Sequence, residues 1–276
     1  MQPLRTILVL AVSMLLAVPL AGRQTATPYR ILVTNDDGVR APGLLAVAQA
    51  LQSVGEVTVV APAGVQSGMG HAITITEPIY LDRVQLPGGI VATALTATPA
   101  SCVKVALEAL LDRRPDLVVS GINRGYNLGM SAYVSGTVGA AREAALRGIP
   151  AIASSLASSG DPNYDASADL TRRVAAYVKT HGLEAGVFLN VNVPAGAADA
   201  LRGIRVVSQS ALDGSERFEE QKAPNGRRYF WNIYREPDRD VEGTDVWATS
   251  QGFAAVTPLR VGEFDRKTYE GIRDLR

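Results

Sequence analysis

Cysteine and histidine are scarce in this 276-residue chain, which has one cysteine, Cys102, and two histidines, His71 and His181. A single cysteine excludes an internal disulfide, and a chain of this length can build a stable core without one. Cys102 lies in a helical pattern, SCVKVALEALL, with no histidine near it in sequence to activate a thiol. We therefore expect Cys102 to pack in the core.

Aromatic side chains are also few, at 6%, and neither sign of charge is in excess, with 27 basic and 27 acidic residues. The lack of aromatics and of an RNA-module aromatic motif argues against a base-stacking surface. The balance of charge argues against a protein that coats polyanions, but it does not exclude a local basic patch. With 47% hydrophobic and 20% charged residues, the composition is that of a globular protein.

The longest apolar run, ILVLAVSMLLAVPL, covers 14 residues at positions 7–20 and follows an arginine. A membrane-spanning helix needs roughly 20 residues, whereas a signal peptide uses a shorter run. Ala21, Gly22 and Ala26 are small enough for a cleavage site, although none has a clean A-x-A frame. We expect residues 1–26 to be a signal peptide of a periplasmic or secreted protein. An uncleaved N-terminal membrane anchor and a cytoplasmic protein with a misassigned start are the alternatives.

From Tyr29 onward, short apolar segments alternate with amphipathic ones. The pattern predicts strands over residues 31–34, 57–60, 117–120, 151–154 and 187–191. It predicts helices over residues 42–53, 101–111, 138–147 and 166–181. Strands separated by helices of this length form right-handed βαβ units. The sequence therefore predicts an α/β fold with a Rossmann-like, mostly parallel sheet covered by helices on both faces.

Two regions depart from this alternation. Residues 74–96 are rich in β-branched side chains and suggest an excursion of β structure. Beyond Ile204 the helical signals fade, and RRYFWNIYRE, residues 227–236, is typical of an exposed or partnered strand. We expect a single domain over residues 28–260, with residues 204–276 including a β-rich C-terminal extension or arm that could reach a second subunit.

The segment RILVTNDDGVRAPG places two acids, Asp36 and Asp37, directly after the first strand. Adjacent carboxylates repel each other and resist loss of water unless positive charge lies beside them. A metal ion, a basic side chain, a helix N-terminus or bulk water could each supply the compensation.

Polar residues follow two other strands of the predicted sheet, and ligands of such sheets bind beyond the carboxyl ends of the strands. Ser67 lies in the loop after the second strand, and Asn123 and Asn127 follow the strand over residues 117–120. Carboxylate, hydroxyl and amide oxygens are ligands that Mg²⁺, Mn²⁺ and Ca²⁺ prefer, whereas a zinc site would use Cys and His. The loops of these strands also carry His71 and Arg124, whose roles stay open.

Ser135, Gly136 and Thr137 stand at the predicted start of a helix, where free N–H groups and the helix dipole favour an anion. A hard metal beside an anion site is typical of phosphate-ester chemistry. Each motif alone also has an ordinary reading, as a turn at Asp-Asp-Gly or as a helix cap at Ser135. No G-x-G-x-x-G follows the first strand and no phosphate-binding P-loop motif occurs, which disfavours dehydrogenases and P-loop enzymes.

Seven segments occur in an order that resembles the SurE family of 5′/3′-nucleotidases, the survival-protein phosphatases. They are ILVTNDDG…APG, VTVVAPAGVQSGMGHAIT, TPASCVKVAL, PDLVVSGINRGYNLG, YVSGTVGAAREAALRGIPAIASSL, LNVNVP and GTDVWATSQGFAAVTPL. The resemblance runs from about residue 30 to residue 259. It implies a metal-dependent phosphomonoesterase that acts on nucleoside 5′- or 3′-monophosphates, with some members acting on short polyphosphate. It also implies dimers or tetramers held by the C-terminal extension.

The resemblance assigns roles to particular residues. One Mg²⁺ or Mn²⁺ per subunit would bind Asp36, Asp37, Ser67 and Asn123, of which Asp36, Asp37 and Asn123 are the expected catalytic residues. The phosphate-side groups would be Asn127, Ser135, Gly136 and Thr137.

Departures from the family pattern leave these residues in place. The run Ala63-Gly64-Val65 replaces a polar one, which puts nucleotide selectivity in doubt, and Met130 and Ser131 stand where acids are usual. A leader peptide is also unusual for the family.

The sequence leaves three alternatives open, two reaction mechanisms and one function without catalysis. Water can attack the phosphoryl group beside the metal, or Asp36 or Asp37 can attack directly and form an aspartyl-phosphate. A non-catalytic module that binds a nucleotide or a metal would use the same loops.

Overall fold

The computed structural model describes residues 27–158, 160, 162–196, 200–262 and 264–273. The predicted leader over residues 1–26 lies outside this range. Among the described helices, none combines the length and apolar character that crossing a membrane requires.

The predicted alternation of strands and helices is confirmed. The strands up to residue 193 are β1 (Arg30–Thr34), β2 (Glu56–Pro62), β3 (Leu81–Gln85), β4 (Val91–Leu95), β5 (Leu117–Arg124), β6 (Ala151–Leu156) and β7 (Val187–Val193). The helices are α1 (Pro42–Leu51), α2 (Pro99–Val105), α3 (Gly136–Leu146) and α4 (Tyr164–His181).

The end of α2 differs from the prediction of one helix through residue 111. The α-helix stops at Val105, and Ala106–Leu110 form a π-helical turn. The N–H of Leu111 donates to the carbonyl of Ala106 at 3.0 Å, a spacing of five residues instead of four.

A nine-stranded sheet in the order β3-β4-β2-β1-β5-β6-β7-β11-β8 forms the centre of the protein. Strands β4, β2, β1, β5, β6 and β7 run parallel, so their carboxyl ends share one edge. The β excursion predicted over residues 74–96 joins this sheet. Its strand β4 pairs parallel with β2, and β3 pairs antiparallel on the outer edge.

Strand β1 shows why the predicted strands read as continuous apolar runs. Ile31 and Val33 pack in a hydrophobic cluster with residues of α1 and α4. Leu32, between them, packs on the opposite face of the sheet, where the cluster includes Cys102 of α2. Successive side chains of a strand point to opposite faces, so a strand buried on both faces needs every position apolar.

Cys102 has the core position predicted for it. Its side chain is fully buried, and this burial raises the pKa of its thiol to about 12.

The C-terminal part contains more regular structure than the sequence indicates. It comprises β8 (Ile204–Val206), β9 (Ser215–Lys222), β10 (Arg228–Arg235), α5 (Asp245–Ser250), β11 (Ala254–Arg260) and α6 (Arg266–Ile272). The expectation that helices fade beyond Ile204 is therefore wrong for α5 and α6, which are too short to show a clear period. Strand β11 runs antiparallel to β7 and carries β8 on its other side.

Strands β9 and β10 form a separate two-stranded antiparallel sheet, which we call the hairpin. It includes most of the predicted strand over residues 227–236. Phe218, Phe230 and Trp231 of the hairpin are exposed. The predicted β-rich arm is therefore confirmed as an element of the fold.

Candidate functional site

A cavity of about 520 Å³ lies beyond the carboxyl ends of the parallel strands. It includes predicted site residues from three loops: Asp36 after β1, Ser67 after β2, and Asn123 at the end of β5. The full lining is Asp36, Ser67, Gly68, Asn123, Arg124, Gly125, Tyr126, Asn127, Met130, Ser131, Val134, Ser135, Asp213, Glu216, Asn232, Tyr234 and Glu236. Convergence at this edge is what the parallel topology predicts.

Asp36 is held by the first turn of α3. The hydroxyl of Thr137 donates to its Oδ1 at 2.5 Å, and the N–H of Thr137 donates to its Oδ2 at 3.1 Å. Gly136 permits this approach, because a Cβ at that position would lie 2.9 Å from Cβ of Asp36. Both carboxylate oxygens therefore have fixed positions.

The two adjacent acids are in an environment that opposes their ionisation. Burial raises the pKa of Asp36 to about 6, with the hydrogen bonds of Thr137 acting against the rise and the charge of Asp37 adding to it. Burial also raises the pKa of Asp37, although the backbone N–H and the charge of Arg124 oppose this. That N–H donates to Oδ2 of Asp37 at 3.1 Å. A cation beside these groups would favour their charged forms.

Backbone contacts bring the loops of Asn123 and Ser67 to the same place. The N–H of Gln66 donates to the carbonyl oxygen of Asp36 at 2.7 Å, which places Ser67 beside the acids. The side-chain amide of Asn123 donates to the carbonyl of Gly125 at 2.9 Å. Its Oδ1 accepts no hydrogen bond from the described residues and is left for another partner.

The donor set formed in this way fits a hard divalent cation. It combines two carboxylates with one hydroxyl and one amide oxygen, all of them hard ligands. In the part of the chain that the structure describes, no three His, Cys, Asp or Glu side chains come together as a metal site. A metal at this edge would therefore need Ser67 and Asn123 in addition to Asp36 and Asp37.

The start of α3 contributes to the site in two different ways. The hydroxyl of Ser135 lines the cavity and accepts the N–H of Val138 at 3.2 Å, so Ser135 caps the helix. The N–H of Gly136 has no acceptor among the described residues. Thr137 lies behind Asp36, fully buried, and gives both of its donors to that carboxylate. This use of its donors differs from the expected contact with phosphate.

Asn127 lines the cavity and is fixed by a buried polar network. Its carbonyl accepts the side-chain amides of Asn190 at 2.8 Å and Asn192 at 3.2 Å. Its N–H donates to Oδ1 of Asn192 at 2.8 Å, and its side-chain amide donates to the hydroxyl of Ser155, also at 2.8 Å. The segment LNVNVP signals these partners, because alternate residues of a strand share one face.

The two residues whose roles stayed open have different positions. Arg124 lines the cavity, whereas His71 is absent from its lining. Nε2 of His71 lies 2.9 Å from Oε2 of Glu143, on α3.

Sequence reasoning missed the side of the cavity that the hairpin and its flanks supply. Asp213, Glu216, Asn232, Tyr234 and Glu236 all line the cavity. They lie more than 85 positions after Asn127, and no spacing motif links them to it. Their proximity follows only from how the hairpin folds back.

Comparison with known proteins agrees with this arrangement. The sequence model of the family described as Survival protein SurE matches residues 31–216. The 5′-nucleotidase SurE of Geobacter sulfurreducens is 47% identical over 233 residues, covering 84% of this chain and 87% of that protein. The corresponding protein of Cytophaga hutchinsonii is 44% identical over 236 residues, covering 83% and 89%.

A solved structure shows the same fold. The crystal structure of the SurE protein from Aquifex aeolicus has a TM-score of 0.77 and 35% sequence identity to this chain. The match covers 89% of this chain and 99% of the other. On the family match, the identities and the shared fold, this chain belongs to the SurE family.

Proposed function

We propose that this protein is a divalent-metal-dependent phosphomonoesterase that hydrolyses nucleoside 5′- or 3′-monophosphates to a nucleoside and phosphate. The relatives described above carry the name 5′-nucleotidase, and they align with more than four fifths of this chain. The observation that carries the proposal is the convergence of Asp36, Ser67 and Asn123 on one cavity bordered by the start of α3.

One Mg²⁺ or Mn²⁺ bound by Asp36, Asp37, Ser67 and Asn123 suits these residues. Their oxygen donors match the preference of both ions, and the two carboxylates balance the charge of a dication. When bound, such an ion supplies positive charge to the phosphoryl oxygens and makes a water molecule easier to deprotonate.

Asn127, Ser135 and Gly136 hold the other phosphate oxygens in this proposal. The hydroxyl of Ser135, the N–H of Gly136 and the second N–H of the Asn127 amide are donors beside the cavity, and the dipole of α3 favours an anion there. Because these donors are fixed before the reaction, they need no reorganisation as charge shifts. Thr137 acts through Asp36, as a positioning residue.

The geometry favours attack by water over an aspartyl-phosphate at Asp36. Both oxygens of Asp36 already accept hydrogen bonds from Thr137, which holds the carboxylate as a fixed ligand. A non-catalytic binding module has no specific observation in its favour.

Hydrolysis should depend on a divalent metal and on Asp37. We expect the purified protein to release phosphate from AMP and from p-nitrophenyl phosphate with Mn²⁺ or Mg²⁺, and EDTA to abolish this release. Asp37→Asn keeps the shape of the side chain but removes its charge, so turnover should fall by at least about 100-fold. Asp82→Asn, on the exposed face of β3, is the matched control. Absence of release with every metal would favour the binding module.

Thr137 should tune the metal site through its hydroxyl. A hydrogen bond to a charged group is worth about 1.5–3 kcal/mol, so Thr137→Val should lower kcat/KM by roughly 10- to 100-fold. The Mn²⁺ concentration for half-maximal activity should rise in parallel. Thr137→Ser keeps the hydroxyl and should retain most activity. Equal metal dependence of the Val and Ser variants would show that the Asp36 contact has no functional role.

We also propose that the protein is a homodimer or homotetramer that associates through the C-terminal extension. The exposed Phe218, Phe230 and Trp231 of the hairpin support this, since exposed aromatics are typical of an interface. Light scattering after size exclusion should give the mass of two or four chains, reduced in Trp231→Ser and unchanged in Tyr80→Ser, an exposed aromatic outside the hairpin. A monomeric wild-type protein at micromolar concentration would contradict the proposal.

Export of the protein is proposed on the apolar run at residues 7–20. When the full chain is produced in a Gram-negative bacterium, mass spectrometry of the periplasmic protein should show an N-terminus at or before residue 27. Leu15→Arg, which interrupts the run, should leave the chain uncleaved. A full-length chain in the membrane fraction would indicate an anchor, and one in the cytoplasm would rule out export.

A further inference from the structure

The hairpin and its flanks close one side of the cavity with acidic side chains, and we call Asp213, Glu216 and Glu236 the acidic wall. The strand register pairs Glu216 with Tyr234, so these two side chains project from the same face of the hairpin. Both line the cavity. Glu219 pairs with Trp231 and, three positions along β9, projects from the opposite face.

Hydrogen bonds hold Glu236 against the loop that follows β5 and Glu216 against the neighbouring strand of the hairpin. The N–H of Tyr126 donates to Oε1 of Glu236 at 3.2 Å. The side-chain amide of Asn232 donates to Glu216. These contacts position Glu216 and Glu236 at the cavity, and neither partner is a cation.

On the side that faces the cavity, the wall has little positive charge to oppose it. Of the described residues that line the cavity, Arg124 is the one lysine or arginine. A divalent ion at Asp36 and Asp37 is already balanced by those two carboxylates. The part of the cavity formed by the hairpin therefore keeps a negative field, and a partly enclosed cavity screens such a field less than open solvent does.

We propose that Asp213, Glu216 and Glu236 are specificity-determining residues that favour phosphate esters with an uncharged leaving group over di- and triphosphates. The proposal rests on the proposed function, because it assumes that the phosphoryl group is bound beside Asp36 and Asn123. In AMP the group beyond the scissile P–O bond is neutral adenosine. In ADP it is AMP, an anion that would lie against the acidic wall.

In both substrates the terminal phosphoryl group passes to water, but AMP is an ester and ADP an anhydride, so only the change in selectivity between wild type and variant isolates the effect of charge. Water adds its oxygen to the terminal phosphorus, the P–O bond to the leaving group breaks, and a proton passes to that oxygen or to solvent. AMP then gives adenosine and phosphate, and ADP gives AMP and phosphate. A like charge near the leaving group disfavours the second reaction more than the first, by about 3- to 10-fold per carboxylate at the separations of such a cavity.

The test measures kcat/KM for AMP and for ADP at saturating Mn²⁺, with the full chain. Wild type should prefer AMP. The ratio of kcat/KM for ADP to kcat/KM for AMP should rise about 3- to 10-fold in Glu216→Gln, with a larger rise in Glu216→Gln/Glu236→Gln. Glu219→Gln makes the same charge change on the opposite face of β9 and should leave the ratio unchanged. The preference of wild type should also weaken between low and high salt, and the double variant should lose this dependence.

The outcomes separate this inference from the proposed function. A ratio that stays constant in the Gln variants, or that rises equally in Glu219→Gln, overturns the selective role of the acidic wall while AMP hydrolysis stands. A loss of both activities in the single and double variants also overturns it, because the carboxylates would then support binding of every substrate. Absence of metal-dependent AMP hydrolysis in wild type instead refutes the proposed function.

Discussion

The contact between Asp36 and Thr137 is the constraint on which the rest of the site depends. It joins the end of the central strand β1 to the start of α3, and both residues are buried. A buried carboxylate is costly unless its oxygens have partners, so the sequence must supply donors at this place. Gly136 is part of the same requirement, because a side chain there would push the helix away from Asp36.

Further buried polar side chains lie along the same edge of the sheet, and their hydrogen bonds hold the loop after β5. Asn190 and Asn192 bind the backbone of Asn127, and the fully buried Asp245 accepts the N–H groups of Gly129 and Ser210 at 2.9 Å. Asp245 begins α5, so the C-terminal part of the chain is tied directly to the loop that lines the cavity. Backbone groups fixed by several buried hydrogen bonds keep their geometry, which preorganised binding requires.

The cavity therefore has two sides with different origins. The core α/β domain supplies the acids, the amide oxygens and the helix start, all on short loops at strand ends. The hairpin and its flanks supply carboxylates and a tyrosine from residues far away in the chain. The first side carries the residues of the proposed chemistry, and in our proposal the second side faces the leaving group.

The sequence by itself determined the alternating α/β order, the apolar strands and the pair Asp36-Asp37, because each is a local pattern of side chains with a known period or turn. It also determined which loops meet, since parallel strands bring their carboxyl ends to one edge. Only the tertiary structure decided that Thr137 serves Asp36, that β11 lies between β7 and β8, and that Glu216 and Glu236 line the cavity. Those facts depend on contacts between segments many residues apart, and local periodicity carries no information about how such segments pack.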